Sequence, residues 1–85
     1  MFNEKHPKGS KKIEFRPDGS IGEGRNANEA QWQLDDEELV IWQENGDLQN
    51  RFRYMQETDR FISTDDLASA AVKRGHMGQF IEPAS

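Results

Sequence analysis

The sequence predicts a mainly β fold: a six-stranded antiparallel meander, strongly curled or closed into a small barrel, followed by one C-terminal α-helix. Three observations predict it. Short segments alternate apolar and polar residues, tight-turn sequences separate these segments, and the turns bring the apolar residues of all segments to one face. The chain has 85 residues, which is typical of one domain.

The two ends of the chain are expected to lie outside the main domain. Residues 1–10 contain Asn, Lys, Gly, Pro and Ser, which predict a flexible N-terminal arm. Residues 11–75 are the predicted β-meander plus helix domain. Residues 76–85 are interpreted as a C-terminal tail or an extra strand.

The first two predicted strands are short and joined by a turn. The segment KKIEFR places Ile13 and Phe15 on one face, and SIGEGR is a strand weakened by two glycines. Between them, Pro17 suits the first corner of a type I turn and Gly19 can adopt positive φ. A three-residue loop at this turn places Phe15 opposite Ile21.

The central strands have the clearest register. The segments NEAQWQL, EELVIWQ and DLQNRFRYM are separated by turns at residues 35–36 and 45–46, and the second turn is the strong hairpin signal Asn-Gly. Counting back from residues 45–46 pairs Leu39 with Phe52, and the turn at 35–36 pairs Trp32 with Leu39. A longer turn at 35–36 shifts the partners and keeps the face.

The last predicted strand, RFIS, follows a loop at residues 56–59 that pairs Tyr54 with Phe61. All four turns then agree on one apolar face, which is expected to be hidden from water. Its members are Ile13, Phe15, Ile21, Ala30, Trp32, Leu34, Leu39, Ile41, Leu48, Phe52, Tyr54 and Phe61.

The segment STDDLASAAVKRG predicts the C-terminal helix. Ser63 or Thr64 is the expected N-cap, basic residues occupy the last turn, and Gly75 ends the helix. A helix of about ten residues is marginal alone, so it is expected to dock on the sheet.

The opposite, outer face of the sheet carries the predicted binding site. A small apolar stripe around Trp42 is surrounded by amides and arginines, a composition typical of protein interfaces and suited to stacking a sugar ring. The predicted site residues are Trp42, Val40, Gln31, Gln33, Gln49, Arg51 and Arg53. If the helix instead covers Trp42 through Leu67 and Ala71, the stripe belongs to the core.

The sequence indicates no enzyme, cofactor or metal site. The chain has no cysteine, which excludes disulfides and thiolate chemistry. His6 and His76 lie near the ends and have no second ligand at metal-binding spacing. The acidic run at residues 35–38 is typical of a solvated turn, although paired carboxylates can act as acid and base.

Nucleic acid and membranes are not predicted partners. The net charge is −5, Glu38 lies opposite Arg53 across the predicted strands, and the long crossover of an oligonucleotide-binding barrel is absent. The sequence contains no apolar run long enough to span a membrane and no secretory signal. A cytoplasmic location is therefore predicted.

These observations predict a non-enzymatic binding module that contacts a protein partner or its own copy through the outer face around Trp42. The alternative is a small-molecule or glycan-binding β-barrel module, with its site in the barrel mouth or on the outer face. In its pattern of turns alone, the chain resembles small curled-sheet or lipocalin-type modules. No signature motif of that group is present, so the resemblance implies nothing about individual residues.

Overall fold

One curled sheet organises the structure. In the computed structural model, which describes residues 1–6 and 9–84, seven antiparallel strands form a half-barrel. The elements in chain order are β1 (Phe2–His6), β2 (Gly9–Ile13), β3 (Gln31–Asp35), β4 (Glu38–Trp42), β5 (Leu48–Met55), β6 (Arg60–Ser63), α1 (Ala70–Lys73) and β7 (Phe80–Pro83). Across the sheet the strands follow the order β2-β1-β7-β6-β5-β4-β3. The predicted fold class is confirmed, with seven strands instead of six.

The consecutive strands β3 to β6 form the predicted meander. Leu39 pairs with Phe52 and Tyr54 pairs with Phe61, as the turn lengths predicted. Trp32 pairs with Ile41 and not with Leu39, because the turn between β3 and β4 lies one residue later than expected, at residues 36–37. The shift moves the partners by two residues, and since side chains alternate with period two, the apolar face is kept.

The N-terminal residues form a hairpin, so the predicted flexible arm is wrong. Strands β1 and β2 pair with each other, and β1 also pairs with β7 along the other edge. The core explains this order, because Phe2 packs against it and Ile81 of β7 is fully buried beside Glu4 of β1. Residues 7 and 8 of the predicted arm, and Ser85 of the predicted tail, lie outside the described residues.

A segment without regular strands connects β2 to β3 along the open side of the half-barrel. Residues 11–13 of the predicted strand KKIEFR belong to β2, whereas the rest of it and the predicted strand SIGEGR form only isolated bridges, which pair Phe15 with Ile21 and Ser20 with Gln31. Gly24 makes this path possible, because its φ is +86° and a Cβ there would lie 2.5 Å from the Lys12 carbonyl oxygen. Gly24 of the predicted strand therefore serves a close backbone approach, whereas a Cβ at Gly22 would meet the side chains of Glu14 and Arg16.

A β-bulge changes the register near Trp42. Ile41 pairs with Asn50, whereas Trp42 pairs with Leu48, so Gln49 is the extra residue of β5. Opposed residues share a face, so Leu48 lies on the side of Trp42 and its predicted place on the inner face is wrong.

The helix is much shorter than predicted. It spans only Ala70–Lys73, begins after Ser69, and packs against β5. Ser63 belongs to β6 and is not the N-cap, and Asp65, at φ +52°, has a left-handed conformation that an α-helix cannot contain. Asp66 instead closes a turn by accepting a hydrogen bond from the backbone N–H of Ala68, at 2.9 Å.

The core lies on the concave face of the sheet. Its fully packed residues are Ile13, Ile21, Leu39, Ile41, Phe52 and Ile81, and Phe2, Phe15, Trp32 and Phe61 pack half-buried against them. Asn50 is buried in the same layer, where its amide donates to Gln79 Oε1 at 2.9 Å and accepts from Ser63 Oγ at 3.3 Å. This network satisfies the polar atoms and links β5, β6 and the start of β7.

Candidate functional site

One end of the half-barrel holds an apolar cavity of about 220 Å³ that we call the apolar mouth. It lies where the turns at residues 36–37 and 56–59 reverse the chain. Its lining residues are Phe2, Phe15, Trp32, Leu34, Leu39 and Phe61. All but Phe2 belong to the predicted apolar face, but Leu34 is 53% exposed instead of buried. The mouth is therefore the part of the concave face that the protein itself leaves uncovered.

Aromatic contacts hold the walls of the mouth in place. The ring centroid of Phe15 lies 5.4 Å from that of Phe2 and 5.6 Å from that of Trp32, in tilted and edge-on arrangements. The indole Nε1 of Trp32 donates to the carbonyl oxygen of Arg16 at 2.8 Å. Because this bond satisfies the only polar atom of the indole, the rest of the ring is an apolar wall.

A second cavity, of about 230 Å³, adjoins the mouth and shares Leu34 and Phe61 with it. Its other lining residues are Asp36, Glu37 and Tyr54. The Tyr54 hydroxyl donates to Asp59 Oδ1 at 2.7 Å, and this hydrogen bond raises the pKa of Tyr54 above its ordinary value. We call the three carboxylates of Asp36, Glu37 and Asp59 the acidic rim.

The structure brings together three of the residues predicted for the outer-face site. Trp42, Gln31 and Gln33 line a shallow depression of about 280 Å³, which we call the outer depression. Asp18, Gly19 and Trp32 complete its lining. Trp42 is half-buried, and the exposed Leu67 does not cover it, so the expected cover of Leu67 over Trp42 is absent.

The two predicted arginines lie in a different groove. Arg51 contacts Glu38 at 3.4 Å and Asp66 at 3.3 Å, and Arg53 contacts Glu38 at 3.1 Å. The Ala68 amide and the Arg51 guanidinium hold the pKa of Asp66 below its ordinary value. These intramolecular pairs engage both guanidinium groups, which agrees with the cross-strand pairing predicted for Glu38 and Arg53.

Val40 and Gln49, the other two predicted site residues, do not line the outer depression. Val40 is buried, at 4% exposure, between Gln33 of β3 and Arg51 of β5, whose long side chains flank it, so the prediction of Val40 as a surface residue is wrong. The bulge displaces Gln49 from its predicted place beside Trp42. The side-chain Oε1 of Gln49 accepts a hydrogen bond from the side-chain Nε2 of Gln43 at 2.9 Å.

A buried acid pair lies deeper on the concave face. Glu4 and Glu29 are each 6% exposed, and the ammonium group of Lys11 binds Glu29 and the Gly24 carbonyl oxygen. Burial and the neighbouring Glu29 raise the pKa of Glu4 to about 9, so Glu4 is protonated at neutral pH. The contacts of Glu4 and Glu29 therefore hold the segment that connects β2 to β3 against β1 and β2.

The described residues contain neither a metal-binding cluster nor a membrane-spanning helix. Across residues 1–6 and 9–84, His, Asp and Glu side chains form no group of three or more that could hold a metal ion. Within the same ranges, every helix is too short or too polar to cross a lipid bilayer.

Comparison with known proteins adds no relative to this description: no family model, no curated protein and no solved structure matches the chain. The candidate site therefore has to be judged on its own geometry. Reasoning from the sequence missed Phe2 as part of it, because FNEK contains a single apolar residue and shows no alternating pattern.

Proposed function

We propose that this protein is a non-enzymatic binding module that takes an apolar group of its ligand or partner into the apolar mouth. The observation that carries the proposal is the uncovered apolar lining at the open end of the half-barrel, where Leu34 is 53% exposed among half-buried aromatic rings. Small soluble domains rarely leave a concave apolar surface open unless it binds something, and barrel mouths are common ligand sites.

The size of the mouth supports a small apolar group. Its volume of about 220 Å³ falls below that of ordinary drug-sized pockets, which begin at about 300 Å³. A buried cavity of about 150 Å³ with a similar lining is large enough for a benzene ring. The mouth therefore suits one ring or one branched aliphatic side chain better than a whole extended ligand.

The chemistry of the lining favours binding over catalysis. Its side chains are all aromatic or aliphatic, and the polar atom of Trp32 is already bonded to a backbone carbonyl. The carboxylates of the acidic rim lie on exposed turns, outside the apolar lining.

Trp32 allows a direct test of the proposal. In a Trp42→Phe background, Trp32 is the remaining tryptophan and reports on the mouth. Titration with benzyl alcohol or cyclohexanol should change its fluorescence in a saturable way. Because Leu34 supplies exposed apolar surface, Leu34→Ser should weaken binding by about tenfold, the equivalent of ~1.4 kcal/mol.

The matched control for this test is Leu67→Ser, since Leu67 is also exposed but does not line the mouth. This variant should bind as the parent does. A linear, non-saturable fluorescence change in the parent, or equal affinities for the two serine variants, would contradict the assignment of the mouth.

A second candidate surface is the outer depression, through which the protein would contact a partner protein, its own copy or a glycan. The observation in its favour is the convergence of Trp42, Gln31 and Gln33 around one hollow. Saturable quenching by a methyl hexoside that disappears in Trp42→Phe would support a glycan site, and a mass that rises with concentration would support self-association. A cytoplasmic location stays a prediction from the sequence.

A further inference from the structure

We infer that the occupant of the apolar mouth is a basic peptide segment of a partner protein, which inserts one apolar side chain while a neighbouring Lys or Arg contacts the acidic rim. This inference rests on the proposed function and adds the chemical class of the partner. Three features carry it: the charge of the rim, the position of the rim beside the mouth, and the engagement of the nearby cations.

The acidic rim is placed to meet a residue two positions away from the inserted one. Asp36 and Glu37 line the cavity that shares Leu34 and Phe61 with the mouth. Consecutive side chains of an extended peptide point to opposite sides, and residues on one side recur every second position. A peptide with its apolar residue in the mouth can therefore direct a cation two positions away onto the rim.

The carboxylates of the rim are available for such a contact. Among the described residues, Asp36, Glu37 and Asp59 make no ion pair within 4.0 Å. The nearest basic residues of β5 and β6 are engaged elsewhere, since Arg53 binds Glu38 at 3.1 Å and Arg60 binds Glu82 at 3.0 Å. No basic side chain of the described residues is therefore paired with the rim carboxylates.

The geometry of Asp59 reinforces this arrangement. Asp59 has the left-handed conformation, at φ +53°, and its carboxylate accepts the Tyr54 hydroxyl at 2.7 Å. That hydrogen bond orients one oxygen towards the protein and leaves the rest of the carboxylate exposed. A fixed carboxylate loses less freedom on binding a cation than a mobile one does.

Charge also argues against the competing occupants. A second copy of this chain would bring the same acidic rim and a net charge of −5 to the interface, which opposes close association. An anionic membrane surface would be repelled for the same reason. A basic peptide is the occupant whose binding both the apolar lining and the acidic rim favour.

Three matched peptides test the inference: acetyl-Lys-Gly-Phe-Gly-Lys-amide, which places both lysines on the same side as Phe, and its versions with Ser or Glu in place of both lysines. Binding to the full chain is followed by amide chemical shifts, which detect millimolar affinity. At low salt the Lys peptide should bind at least about tenfold more tightly than the Glu peptide, with the Ser peptide between them. The difference should narrow at 0.5 M NaCl, because the Debye length is then below about 5 Å.

The outcomes separate the two proposals. If all three peptides shift the mouth resonances with equal affinity, the charge inference is overturned while the apolar mouth stands. If none of them shifts residues of the mouth, the proposed function fails as well. If the Lys peptide binds equally well to Leu34→Ser, the contact is a nonspecific charge effect, and the inference is overturned.

Variants of the rim give an independent readout. Asp36→Asn combined with Glu37→Gln should weaken Lys-peptide binding by about three- to tenfold and leave Ser-peptide binding unchanged. Asn also tolerates the φ of +58° at position 36, so the turn is kept. Asp47→Asn removes a charge at the opposite end of the sheet, and equal weakening by this control would overturn the role of the rim.

Discussion

Among single residues, Glu4 is the one whose charge state matters most to the fold. It lies on the concave face, paired with Lys11 of β2 and Ile81 of β7. Burial is the main cause that raises its pKa to about 9, and the hydrogen bond and charge of Glu29 add to it, while Lys11 acts in the opposite direction. The folded protein therefore holds a proton on Glu4 that the unfolded chain, with an ordinary pKa of 4.5, releases.

This difference predicts a pH dependence of stability. Because the folded pKa is raised, the contribution of Glu4 is fully present below pH 4.5 and is lost as pH rises towards about 9. Glu4→Gln keeps a hydrogen-bond donor for Glu29 without a titrating proton. We expect this variant to be more stable than the parent at pH 8, by about 1–3 kcal/mol, and to lose the advantage at pH 5.

Urea unfolding of both proteins at pH 5 and pH 8 measures this effect. The comparison of variant with parent isolates Glu4, since other titrating groups are common to both. Parallel dependence on pH in the two proteins would show that Glu4 is ionised in the folded state at pH 8.

At the scale of elements, Gly24 determines how the connecting segment passes β2. Its φ of +86° is unfavourable for other residues, and an added methyl group would lie 2.5 Å from the Lys12 carbonyl oxygen and 3.3 Å from the Cα of Ile13. Backbone atoms cannot move aside as the end of a flexible side chain can. The segment that bridges β2 and β3 therefore depends on glycine at this position.

Alanine substitution at two glycines separates strain from collision. Gly46 has nearly the same φ, +90°, but nothing lies within 4 Å of a methyl group there. Gly46→Ala should cost about 1–2 kcal/mol from backbone strain alone, and Gly24→Ala should cost about 3 kcal/mol or more because the collision is added. Denaturant midpoints measure both, and equal losses would mean that the backbone around Gly24 relaxes.

The elements also show which parts of the fold can be predicted from the sequence. Hairpins set by local turns, such as the one that pairs Leu39 with Phe52, follow from counting residues, because register depends on turn length. The bulge in β5 and the left-handed conformation of Asp65 leave no comparable pattern in the sequence. The bulge accounts for the misplaced Gln49, and the conformation of Asp65 accounts for the failure of the predicted long helix. Strand β1 was missed because it pairs with β7, at the far end of the sequence.

The candidate site was predictable to a smaller extent. Phe15, Trp32 and Phe61 were assigned to the correct face, since alternation shows which side chains point together. Alternation does not show how much of the apolar face of a strand the rest of the protein shields from solvent. The exposure of Leu34 therefore depends on sheet curvature, which the turn pattern does not encode.

For the whole molecule, the strand order makes the N-terminal hairpin part of the core. We expect deletion of residues 1–10 to abolish cooperative unfolding, because it removes β1 from beside β7 and Phe2 from its contact with Phe15, at 5.4 Å. Small domains have only about 5–15 kcal/mol of stability, so the loss of β1, which is paired on both sides, is expected to exceed the stability of the rest of the domain.

Thermal melts by circular dichroism and the dispersion of amide resonances measure the outcome. Leu67→Ser, at an exposed position, serves as the control. Its melting temperature should differ from that of the parent by no more than an ordinary surface substitution produces. A truncated chain that melts cooperatively near the parent temperature would contradict the structural role of β1.

The contact between β1 and β7 has a consequence for how the chain folds as it is synthesised. The first hairpin leaves the ribosome long before the strand that completes its sheet, and an isolated hairpin is marginally stable in water. At ordinary elongation rates the delay is on the order of several seconds. Until Phe80–Pro83 emerges, Phe2 and Ile13 remain accessible to chaperones, and the nascent chain cannot close its core.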